Sequence, residues 1–109
     1  MAHLLPESEI KNYVINFIAQ HNDPALYYHN QFHTESVVKA AKEMADHYQL
    51  SAEDHFIVSA AAWFHDIGYY DGKRSGHEKA GADLAAAFLQ QKLVPAAIIE
   101  KVEKCILAT

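Results

Sequence analysis

At 109 residues, half of them hydrophobic, the chain has the length of one domain with a modest core, and nothing in it suggests two. Its formal net charge of -5 argues against a general nucleic-acid or membrane surface, because phosphate backbones and anionic lipids recruit faces rich in Lys and Arg. The lone cysteine, Cys105, excludes an internal disulfide framework, and no stretch approaches the roughly 20 apolar residues that span a bilayer.

The N-terminal MAHLLPESE has neither a basic start nor a long apolar run, so a cytoplasmic chain is expected. Pro6 or Ser8 opens a first helix, in which Ile10, Tyr13, Val14, Phe17 and Ile18 recur at helical spacing. It stops at His21-Asn22-Asp23-Pro24, whose Asn, Asp and Pro are turn formers, and the connecting segment PALYYHNQFH follows. From about Thr34 a second helix sets Val37, Ala41, Met44, Ala45 and Tyr48 on one expected apolar stripe and ends near Leu50.

Ser51 reads as the N-cap of a third helix, with Glu53 and Asp54 favourable in its first turn. That helix carries Phe56, Ile57, Ala60, Ala61, Trp63 and Phe64, apolar almost all round in its second half, which predicts a central position. Gly68 lets the chain leave it, and the charged, Gly-containing loop YYDGKRSG leads to a fourth helix near His77, with Gly81, Leu84, Ala85 and Phe88 on one face. Val94-Pro95 starts a fifth with Ile98, Val102, Cys105 and Ile106, where Cys105 is expected to be a buried, inert thiol. No strand pattern competes, so the predicted class is all-α, a bundle of about five helices spanning 1–109 as a single domain. The fifth helix reaches Thr109 without a cap or polar tail, so the chain is expected to stop before the fold does.

Eight histidines are spread unevenly, and three groups lie at or near predicted helix ends: His29 and His33 in YYHNQFH, His65 beside Asp66 in FHD, and His77 in SGHEKAG. Helix ends that converge on an apolar bundle can gather imidazoles and carboxylates around a divalent ion such as Mn, Fe, Zn or Mg. Adjacent helical residues point about 100° apart, so His65 and Asp66 share one ion only if it sits beside the helix end. His29 and His33, four apart, form a competing metal pair if their segment is helical; Asn30 instead favours a helix that starts there and leaves His29 outside it. His3, His21, His47 and His55 are expected at the surface.

In this order His33 and the doublet His65-Asp66 resemble the first three metal ligands of the HD-domain phosphohydrolases, an all-α superfamily. The resemblance covers most of the chain: YHNQFHTESVV is similar to the first-histidine segment, WFHDIGY to the doublet, and HEKAGADLAAAFL to the helix after it. It implies an HD-like bundle that hydrolyses phosphate esters, often nucleotides, with a metal-activated water. It further implies metal ligation by His33, His65 and Asp66, with Asp66 also catalytic, orienting the water or bridging a second ion. His77 resembles an extra histidine of two-metal members, a part open to Glu78 as well. Lys73 and Arg74 follow the doublet and could clamp substrate phosphate, with a solvated turn as the alternative, and His29 could touch substrate.

The chain departs from the family pattern after Asp83. Members complete the metal shell with an aspartate on a later helix, whereas here only Glu100 and Glu103 remain, both on the polar face of the fifth helix. A fragment, a shortened inactive relative and a chain completed by a partner are the explanations left open. The rival to a phosphohydrolase is therefore a truncated, non-catalytic HD-fold module that binds metal, ligand or a partner subunit, including a second copy through an exposed C-terminal helix. A helical nucleic-acid binder is disfavoured by the acidic charge.

Overall fold

The computed structural model describes residues 5–20, 31–67 and 77–108, and among these it contains helices and no strand. The helices are α1 (Glu7–Gln20), α2 (Gln31–His47), α3 (Ala52–Phe64), α4 (His77–Gln91) and α5 (Ala96–Leu107). The expected all-α HD-like bundle is what forms, and no helix among the described residues is long and apolar enough to cross a membrane.

The third helix is central, packing against each of the other four. Its Ala60-Ala61-Ala62 run lets neighbouring backbones approach closely, and Trp63 and Phe64 then fill the wider space at its end. Phe64 is fully buried against Tyr13 and Phe88, with ring centroids 5.9 and 6.0 Å away, and Tyr13 and Phe88 stack at 4.4 Å. This aromatic cluster ties α1, α3 and α4 together. Ser51 caps α3 as expected, its Oγ accepting from the Asp54 N–H at 3.1 Å.

The second helix starts earlier than the apolar spacing from Thr34 suggested, where Asn30 favoured a start, and differs from expectation in its buried face. It begins at Gln31, which places His33 inside the first turn. Thr34, Val38 and Ala45 form the buried line, while Met44 and Tyr48 are 62 % and 69 % exposed. Val37 and Ala41 lie half-buried on the border between the two stripes. Hydropathy alone does not select between overlapping stripes that share such a border; the contact with α3 selects one.

Both α2 and α4 end through a left-handed residue that is not glycine. Gln49 (φ 53°) is followed by Leu50, whose N–H reaches back to the Ala45 carbonyl, and Leu93 (φ 63°) by Val94, which reaches Leu89. These wide backbone bonds close the helix ends in the manner a C-terminal glycine usually permits. Among the described residues one buried side-chain donor is unsatisfied: Trp63 is 3 % exposed and its indole Nε1 has no partner. Such a group costs about 1–3 kcal/mol when nothing accepts from it.

Candidate metal centre

The doublet sits where α3 stops. His65 is the C-cap, and its Nδ1–H donates to the Ala62 carbonyl at 2.6 Å, satisfying one of the carbonyls that a helix end leaves without a partner. Because a carbonyl only accepts, this bond fixes a proton on Nδ1 and presents Nε2 on the other side of the ring. Phe64 before the doublet and Ile67 after it are both buried, so the short turn is anchored at each end. The order Phe-His-Asp-Ile is thus a pair of polar groups held between two core side chains.

From α2, His33 brings its Nε2 to 3.1 Å from Asp66 Oδ2, and His65 Nε2 stands 3.1 Å from the same oxygen. The two imidazole centroids are 5.8 Å apart. One ligand atom from each of the three residues falls within 4.8 Å of the others. Around an ion bound at about 2.0–2.2 Å, neighbouring ligand atoms are roughly 3.0–3.4 Å apart, and both nitrogen–oxygen separations agree.

Electrostatics point the same way. The Asp66 carboxylate keeps only 9 % of its side-chain surface exposed, at the C-terminal end of α3, where the helix dipole carries partial negative charge. A buried anion in that position calls for a compensating cation. Burial lowers the His65 pKa, but the Asp66 and Ala62 hydrogen bonds and the Asp66 charge outweigh burial and hold it above the ordinary value, so the carboxylate favours the protonated imidazole beside it. Were a metal bound, neutral His65 would offer its Nε2 lone pair to the ion, with the Ala62 bond orienting the ring as outer-shell partners of metal-binding histidines do. Two nitrogens and one oxygen suit Mn, Fe or Zn better than Mg. His33 remains 42 % exposed in its side chain, so the cluster opens to solvent on the α2 side.

The other candidates separate into two groups. His29, Lys73, Arg74 and Gly68 lie outside the described residues; His77 opens α4, but its side chain does too. Glu78, Glu100 and Glu103 are described and none joins the cluster; Glu100 instead pairs with Lys104 at 3.2 Å. Among the described residues no fourth His, Cys, Asp or Glu completes the shell. His47 is exposed as expected, whereas His55 is half-buried and meets Asp46 at 3.3 Å. Cys105 is half-buried rather than buried.

Next to His65 runs an apolar groove that spacing did not reveal. A cavity of about 230 Å³ is lined by Val37, Val58, Ala61, Ala62, His65 and Cys105. Through Val58 and Leu50 it continues to the exposed Met44 and Tyr48. It arises because α2 and α5 both pack on α3 where α3 offers only small side chains, a relationship between three separate segments.

Neither the curated proteins nor the solved structures give a significant match. A family model, described as HD domain, matches residues 30–108, a span that takes in α2 to α5 and all three residues of the cluster. Members of that family are generally metal-dependent phosphohydrolases. With most of its length matched and the histidine–aspartate doublet at the helix end where two imidazoles meet one carboxylate, the chain belongs to the HD domain family.

Proposed function

We propose that the protein is a metal-dependent phosphohydrolase that cleaves a nucleotide or another small phosphate ester, with His33, His65 and Asp66 holding a divalent ion. The observation that carries this reading is the approach of two Nε2 atoms, from different helical segments, to one buried carboxylate oxygen at 3.1 Å each. A divalent ion bound there would supply a more acidic water and neutralise charge on the phosphoryl oxygens. The chain's own part is positional. Ala62 fixes the His65 ring, the cluster opens to solvent on the His33 side where substrate would enter, and Asp66 would orient the attacking water and take its proton. His77 or Glu78 at a second ion, and Lys73, Arg74 and His29 at the substrate phosphate, extend this proposal on the sequence alone. A cytoplasmic location belongs to the same reading.

The test is phosphate release from a panel of nucleotides and simple phosphomonoesters with Mn, Fe, Zn or Mg supplied in turn. Turnover that a chelator abolishes and that D66N and H65A lack is the expected result. Absence of turnover with every ion, in protein shown to bind metal, would overturn the catalytic reading. One observation favours the rival: the groove exposing Met44 and Tyr48 beside a three-ligand cluster suits a non-catalytic module that binds a partner or a second copy. Metal binding without turnover, in a protein that dimerises, is the outcome that rival requires.

A further inference from the structure

The apolar groove beside His65 joins the metal centre along both of its long walls. On α3, Val58, Ala61, Ala62 and His65 fall at i, i+3, i+4 and i+7, one stripe that ends on a residue of the cluster. On α2, His33, Val37, Ala41 and Met44 fall at i, i+4, i+8 and i+11, one stripe that starts on another. From His33 to Met44 this wall runs about 16 Å, and Cys105 of α5 lines the third side. A group anchored at the cluster can therefore extend along the groove.

What the groove offers such a group is almost wholly apolar. Apart from His65, the 230 Å³ cavity is walled by Val and Ala side chains and one thiol, and Ala41, Met44 and Leu50 continue it. Lysines enter at the far rim, where Lys101 and Lys104 already meet Glu53 and Glu100. A nucleobase or sugar seated among these walls would leave its donors and acceptors unpaired, whereas each methylene of an alkyl chain gains by leaving water. That the inner end of the groove is a residue of the metal cluster favours substrate over a second copy of the chain as its occupant.

We propose that the α2–α3–α5 groove binds the organic group of the phosphate ester held at the metal centre, and that this ester is one of an apolar, chain-like alcohol rather than a nucleotide. The inference rests on the phosphohydrolase reading for the place of the phosphoryl group beside His33, His65 and Asp66.

Cys105 is the only cysteine, half-buried in the groove wall, so its alkylation by iodoacetamide reports occupancy without any turnover. The full chain, loaded with Mn, is alkylated in the presence of methyl-, butyl- or octylphosphonate, which carry the ester's charge but no cleavable P–O–C bond. Octylphosphonate is expected to protect Cys105 and methylphosphonate to leave it reactive. The half-protecting concentration should fall about two- to fourfold for each CH2 added. Chelator, or H33A, should raise it at least about tenfold, because the phosphonate loses its anchor. No protection, protection indifferent to chain length, or protection unchanged without Mn would overturn the proposal. So would protection that grows with protein concentration in the absence of phosphonate, which gives the groove to a second copy. Metal-linked, length-dependent protection in a protein that hydrolyses no ester would uphold the groove assignment and remove only the catalytic reading.

Discussion

His33, in the first turn of α2, and Asp66, just past the end of α3, meet at 3.1 Å although 33 positions separate them in the chain. Each is ordinary alone: a partly exposed imidazole, and a carboxylate at a helix end. Their contact, doubled by His65 on the same oxygen, turns two helix termini into one site.

Removing a ligand should therefore damage metal binding without unfolding the protein. H33A, H65A and D66A are each expected to weaken Mn binding by at least about a hundredfold, since disturbing even outer-shell partners costs ten- to a hundredfold. Titration calorimetry measures it, with K104A as the surface control. Retention of wild-type affinity by all three would show that the ion binds elsewhere.

The raised pKa of His65 fixes the sign of a pH effect. A folded-state value above the unfolded 6.5 means that protonated His65 contributes stability that is fully present below about pH 6.5 and is lost as pH rises through the folded value. Urea melts of metal-free protein across that window should follow this course, and NMR titration of His65 locates its midpoint. Metal competes with the proton for Nε2, so Mn affinity should rise with pH over the same interval.

Phe64 links the aromatic cluster to the doublet, and F64A should cost about 3–5 kcal/mol, a large fraction of a domain's usual 5–15. Metal affinity should fall with it, because the turn that carries His65 loses its anchor. Denaturation and calorimetry on the same sample test both effects.

The corrected face of α2 makes a contrast. M44K, at an exposed position, should change stability by no more than about 0.5 kcal/mol. V38A, in the buried line, should cost about 2 kcal/mol through lost methyl groups and the cavity they leave. Equal effects in urea melts would restore the stripe expected from hydropathy.

Leu93 is 79 % exposed and left-handed, so its side chain contributes little packing to offset its backbone conformation. L93G should stabilise the protein by about 0.5–1 kcal/mol, the left-handed penalty less the added entropy of glycine in the unfolded chain. A rise in the urea midpoint with an unchanged slope is the expected readout.

Much of this protein was legible in its residues. The apolar spacing of Ile10, Val14 and Ile18, the Ser51 cap and the nearly all-apolar end of α3 determined the helices and the central one, because these depend on neighbours three or four positions apart. The doublet and its family were legible too, since His65 and Asp66 are adjacent. Only tertiary structure decided which stripe of α2 is buried, that the Ala62 carbonyl fixes the His65 tautomer, and that His33 reaches the same carboxylate oxygen. The groove beside His65 and the unpaired Trp63 N–H were likewise invisible in the chain. The physical reason is common to all of them: periodicity fixes which residues share a helix face, whereas the rotation and spacing of helices are set by packing between segments distant in sequence.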